Sequence, residues 1–286
     1  MFIKEALPGF EKSGFTPSDE RIVFRAPCTR QPFPRMRNFM IDASRQAKKR
    51  HLIYFTFEAD VTQARQRIRR YKLRLGSSLS FSVFVLCCYC KAIEEDKRMH
   101  AMRLGKRQLV LFDDVDAAVI IEKEVDGALQ PIHYIVRRAN RKSFTEIQGE
   151  VRWAAATPFE EMYTRLDRIF FTRVPQFLRD LTYWLHRQSP RLTKMFHGTT
   201  CITSVGMFGS GSNYMMPLIG MTSSLSVGGI KPNYLPVDGR MEKREMLSLV
   251  LTLDHDIIDG AYAMRFITRL KDLIDRGFGL PATDDT

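Results

Sequence analysis

The chain has 286 residues, of which 44% are hydrophobic and 27% charged, a composition suited to one large or two small globular domains with a sizeable core. Its net charge of +12 favours an anionic partner (a nucleotide-bearing cofactor, an acidic carrier protein, a nucleic acid or a membrane surface) without choosing among them. An odd count of five cysteines, three of them crowded at 87–90, excludes a disulfide framework, and the most apolar run, Leu79–Cys90, is too short for a bilayer span of about 20 residues.

Residues 1–34 are proline-rich with little periodicity and read as an irregular arm. The opening MFIKEALPGFEK lacks the basic start and apolar core of a secretion signal, and the free cysteines suit a reducing cytoplasm. Residues 36–49 predict a helix and 51–59 a strand, after which Asp60 or Thr62 caps a helix with a strongly basic outer face. The serine-rich step SSLSFSVFV starts another helix. On it Cys87, Cys88 and Cys90 do not converge on one point, so they read as buried hydrophobes, and no metal is expected.

Residues 107–112 and 116–125 predict two strands joined by a DDV turn, and GALQPIHYIV predicts a third. Ser143 followed by Glu146 is a capping box for the next helix. In 157–197, Val174, Phe177, Leu178, Leu181, Trp184 and Leu185 fall at helical spacing, with Pro175 in the first turn. This reads as an added helix packed on the core. Burial against a neighbouring subunit or an acyl chain is the second reading, and a membrane-lying helix is the least favoured.

Strand 199–204 leads into a glycine-rich loop, and strand 222–229 returns to a polar loop at 231–245. The alternation of Leu247, Leu249, Leu251 and Leu253 predicts a strand with one buried face. It delivers Asp254 and His255 to a strand end. Asp259 and Gly260 follow, and a helix begins with Ala261, Met264, Phe266, Ile267, Leu270, Leu273 and Ile274 as its apolar stripe. A histidine on such a rigid junction is well placed to act as a base near neutral pH.

The pattern strand–DHxxxDG–helix, with GTTCITSVGMFG before it, resembles the catalytic domain of the dihydrolipoyl acyltransferases of 2-oxoacid dehydrogenase complexes. The resemblance covers roughly 35–275 apart from 157–197, which departs from the family pattern as a helical insertion. It implies a chloramphenicol acetyltransferase-like α/β sandwich, a mixed sheet flanked by helices, in one domain over 35–286 that forms trimers or trimer-based cages. It also implies coenzyme A as a substrate, His255 as general base, Thr203 in the place of an oxyanion-stabilising serine, and an active site shared between subunits. Asp259 would be paired with Arg35 or Arg37.

Ser204 is the fallback for Thr203, and Asp256 stands where the family carries arginine. The basic runs at 48–50, 65–70 and 137–142 read as solvated faces or as an entrance for the phosphates of coenzyme A. No lipoyl domain is recognisable, so an acyl or lipoyl carrier protein would act in trans. Nucleic acid is not an expected partner, nor is a membrane. The competing function is a catalytically drifted core that serves as a trimer or cage scaffold. A condensation-type enzyme ranks third, because its motif has a second histidine where Asp254 stands.

Overall fold

The computed structural model describes residues 28–29, 33–125, 127–206 and 211–281, so the arm expected over 1–34 lies almost wholly outside the described residues. From Arg35 onward the chain forms one compact unit. Helix α1 (Asn38–Ala47) precedes strand β1 (Leu52–Asp60), α2 (Thr62–Leu75) and α3 (Phe81–Glu95). Two short strands, β2 (Met102–Leu104) and β3 (Gln108–Val110), are followed by the hairpin β4 (Ala117–Val125) and β5 (Ala128–Val136). Then come α4 (Phe144–Ala156), α5 (Phe159–Met162), α6 (Arg165–Arg173), α7 (Gln176–Gln188) and α8 (Pro190–His197). Strands β6 (Thr200–Ser204), β7 (Ser223–Val237) and β8 (Arg240–Asp254) lead to α9 (Gly260–Asp275).

Six strands form a mixed sheet in the order β1-β8-β7-β6-β4-β5, with β6 parallel to both its neighbours and the other pairs antiparallel. The alternating leucines of β8 set its inner face. Leu249, Leu251 and Leu253 lie opposite Phe57, Phe55 and Ile53 of β1, and Leu249 and Leu251 also lie opposite Val227 and Leu225 of β7. This apolar face packs on α3 and on the Phe266, Ile267, Leu270 and Ile274 stripe of α9, so the predicted α/β class is the one observed. Cys87, Cys88 and Cys90 are buried in α3, and burial pushes the Cys87 thiol up to about 12. Ser143 and Glu146 form the expected capping box on α4.

Three expectations change. The segment 231–245 is not a loop: β7 and β8 continue through it as a two-stranded ribbon that turns at Asp238 and Gly239, both at positive φ. An Asp-Gly pair is the two-residue hairpin signal, and the prolines and charges around it masked the strand pattern. Strand β3 pairs with β2 in a separate small sheet rather than turning back onto β4.

The third change is α7, which forms where expected but faces the other way. Arg179 and Tyr183 are its buried residues, and the apolar stripe is turned outward. The physical reason is a buried ion pair. Asp42 of α1 accepts from Arg179 Nε at 2.8 Å and from Gln176 Nε2 at 2.8 Å, while Asp180 pairs with Arg45 at 2.7 Å. A paired charge out of water fixes the helix's rotation more firmly than leucines that remain exposed.

A bulge separates Val227 from Ile230, and the backbone around 211–213 lies directly on it. A Cβ at Gly228 would sit 1.9 Å from the Asn213 carbonyl oxygen and 2.9 Å from that of Ser248. Neither backbone atom can give way cheaply, so Gly228→Ala is expected to destabilise the fold by about 2–3 kcal/mol, read as a lower urea midpoint with an unchanged slope.

One buried and one half-buried histidine make stability pH-dependent. His100 is enclosed, with Nε2–H donating to the Phe112 carbonyl at 3.1 Å and Nδ1 3.0 Å from Thr199 Oγ1. Burial, the largest cause, lowers its pKa to about 4. His197 lies 3.1 Å from His186 Nδ1 and stacks on Tyr183, and burial lowers its pKa to about 3. A neutral histidine with a depressed pKa stabilises the fold fully above the unfolded value of about 6.5 and loses that contribution as pH falls below it. Between pH 7 and pH 5 the unfolding free energy should drop by about 2 kcal/mol for each of the two groups. Urea titrations at the two pH values read the summed drop, to which His133 and His186, whose pKa values burial also lowers, add.

Candidate active site

Strand β8 carries His255 one residue past its last ladder position, and the flanking carboxylates are anchored from the start of β1. Asp254 is buried and pairs with Arg50, and its backbone N–H donates to the Thr222 carbonyl at 2.9 Å. The His255 N–H donates to the His51 carbonyl at 2.8 Å. Asp256 Oδ1 accepts from His51 Nδ1–H at 2.8 Å, and its Oδ2 accepts from Arg103 at 3.1 Å. The hydrogen bond from His51 is the main cause that pulls the Asp256 carboxyl below its usual value, aided by the charges of His51 and Arg103. The negative charge that departs from the family pattern is therefore held by two side chains, the His51 imidazole and the Arg103 guanidinium. His255 stands exposed between two fixed neighbours.

Asp259 does not take the expected arginine. Among the described residues its carboxylate accepts from the Tyr262 N–H at 3.1 Å and caps α9, and it is exposed. Arg35 and Arg37 lie in a short 3-10 turn ahead of α1, which meets α6 around buried Met36. An aspartate three residues before a helical tyrosine makes a good N-cap on its own, which leaves it no need of an ion pair.

Thr203 is half-buried on β6, directly opposite Ser226 of β7, and Ser226 lies opposite Val250 of β8. Next to it, Ser204 Oγ accepts from Ser82 Oγ at 3.5 Å. His255 is five residues beyond Val250. At 3.3 Å per residue and 4.8 Å between strands, Thr203 and His255 of one chain lie roughly 16 Å apart along the sheet and about 10 Å across it. The structure does not bring them together within a chain.

The basic runs are largely spent on structure. Arg50 is held by Asp254, Arg65 and Arg69 share Glu245 at 2.7 and 2.8 Å, and Arg67 donates to the carbonyls of Gly277 and Leu280. Arg137 pairs with Asp116, and Arg141 with Asp114 at 2.5 Å. Arg50, His51 and Arg103 are the site residues that the sequence did not disclose. A charge run next to a strand start resembles a solvated face until its partner seven strands later in the chain is known.

The family model of the 2-oxoacid dehydrogenases acyltransferase (catalytic domain) matches residues 164–278, from α6 through α9. The chain resembles this acyltransferase catalytic domain. Among curated relatives, the dihydrolipoyllysine-residue succinyltransferase component of the 2-oxoglutarate dehydrogenase complex from Bartonella vinsonii subsp. berkhoffii is 25% identical over 222 residues, 76% of this chain and 46% of that protein. The acyltransferase-like chain thus spans under half the length of that relative.

Solved structures show the same fold. A probable dihydrolipoamide acetyltransferase from Listeria monocytogenes superposes with a TM-score of 0.68 at 18% identity, over 91% of this chain and 98% of that one. Azotobacter vinelandii dihydrolipoamide acetyltransferase, in which a serine, a histidine and an asparagine were investigated for their role in the catalytic mechanism, gives 0.67 at 17% identity, over 91% and 96%.

Proposed function

We propose that the protein is an acyltransferase that moves an acyl group between coenzyme A, or another thioester carrier, and a thiol or other nucleophile. The observation that carries this reading is a pair of intervals. In the Azotobacter enzyme the histidine follows the serine by 52 positions and the asparagine follows the histidine by 4. Thr203, His255 and Asp259 keep both intervals on the same fold, with threonine for serine and aspartate for asparagine.

The imidazole of His255 takes the proton of the attacking thiol, and the sulfur adds to the thioester carbonyl carbon. The carbonyl oxygen becomes an oxyanion, which accepts a hydrogen bond from the Thr203 hydroxyl of a neighbouring copy. Collapse of the tetrahedral intermediate breaks the bond to the departing thiol, which recovers the proton from His255. No covalent bond to the protein and no metal is needed. Because the two half-sites of one chain face different ends of the sheet, this chemistry requires an oligomer, and a trimer or trimer-based cage meets that need. Asp259 acts by capping α9 and so fixing the turn that carries His255.

We place the protein in the cytoplasm, with an acyl or lipoyl carrier as its partner. No helix among the described residues is long and apolar enough to cross a membrane. A drifted scaffold is the weaker reading, since the paired anchoring of Asp254 and Asp256 keeps His255 exposed and fixed. The direct test is transfer of acetyl or succinyl groups from coenzyme A to dihydrolipoamide. Turnover by the purified chain supports the reading, and a stable oligomer with no turnover and no coenzyme A binding overturns it.

A further inference from the structure

We propose that the outward face of α7 and α8 docks on an anionic lipid surface, with the domain resting on the membrane rather than crossing it. The observation is an amphipathic helix mounted with its polar side inward. Asp42, Arg179, Gln176 and Tyr183 attach α7 to the domain, and Arg179 is only 4% exposed. On the opposite side Phe177 is 69% exposed, Trp184 53% and Leu181 50%, with Leu185 beside them. The next helix continues the face with Met195 at 59% and Phe196. A monomeric soluble surface scatters such residues singly, and an apolar patch of this kind marks a partner.

Charge selects the partner. Over residues 176–197 the only acidic residue is Asp180, which Arg45 already neutralises at 2.7 Å. Arg187 and Arg191 flank the apolar stripe, exposed Arg173 ends the preceding helix, and the whole chain carries +12. Tryptophan, phenylalanine and leucine on one side with arginine at the flanks is the composition of a helix that lies in the interfacial plane of an anionic bilayer. A second copy of this chain would bring its own positive charge to the same basic rim, which opposes its docking there. The inference stands on the geometry of α7 and does not depend on the acyltransferase reading.

The chain has two tryptophans, so Trp153→Phe leaves Trp184 as the sole reporter on this face. Full-length protein with that substitution is mixed with vesicles of pure phosphatidylcholine or of phosphatidylcholine with phosphatidylglycerol. The expected result is a blue shift of Trp184 emission and co-sedimentation with the anionic vesicles alone, both weakened by high salt. The double substitution Leu181→Glu, Leu185→Glu should reduce partitioning by more than about tenfold with no change in oligomer mass or thermal midpoint. Emission unchanged by anionic vesicles, with the protein left in the supernatant, overturns the proposal. A fall in oligomer mass on the same double substitution also overturns it, because it assigns the face to contact between subunits.

Discussion

His255→Ala is expected to lower acyl transfer by about 10²–10⁴-fold, the usual contribution of a positioned general base. The thermal midpoint should scarcely change. The imidazole is exposed, and the anchors of its turn are the backbone N–H of His255 and the side chains of Asp254 and Asp256, none of which the substitution removes. Surface changes of this kind stay within about 0.5 kcal/mol. The loss should fall on kcat with little effect on KM, since the base acts in the transition state and makes no large binding contact. A variant that retained more than a tenth of the wild-type rate would remove His255 from the mechanism. Equal loss of activity and stability would mean that the histidine is a structural residue.

Asp42→Ala should be among the most destabilising single substitutions in the chain, at about 3–5 kcal/mol. Asp42 is fully buried, and its carboxylate holds Arg179 at 2.8 Å and Gln176 at 2.8 Å. Removing it leaves the Arg179 guanidinium out of water with only the Val174 carbonyl, at 2.5 Å, and the Gln176 side-chain oxygen, at 2.7 Å. The helix then has little reason to keep its apolar stripe outward, so α7 should detach or rotate. Proteolysis within 174–190 and a lower urea midpoint would both report this. The pair Asp42→Leu with Arg179→Met should recover most of the loss, because a buried ion pair is costly to break but cheap to replace as a whole. A single variant that lost less than about 1 kcal/mol would show that the pair does not set the helix orientation.

The reach and limits of the sequence follow from these residues. The leucine alternation in β8, the capping box at Ser143 and the stripe of α9 are local patterns, and local patterns set the sheet-and-helix class and the position of His255. The rotation of α7 was not legible, since its periodicity says that the helix has two faces and not which one meets the protein. The deciding contact joins residues 137 positions apart. The clamp on Asp256 was hidden in the same way: Arg103 and His51 reach it across separations of 153 and 205 residues. The ribbon at 231–245 was the one miss with a local signal available, in Asp238–Gly239.

Separation of Thr203 from His255 within one chain makes the shared active site the central claim, and subunit complementation tests it most directly. His255→Ala and Thr203→Ala chains, each nearly inactive alone, are co-expressed in equal amounts and purified as mixed oligomers. If each site takes its histidine from one copy and its threonine from the next, about a quarter of the sites in a random mixture are intact, and acyl transfer should return to about a quarter of the wild-type rate. A mixture no more active than the average of the two variants would contradict the shared site.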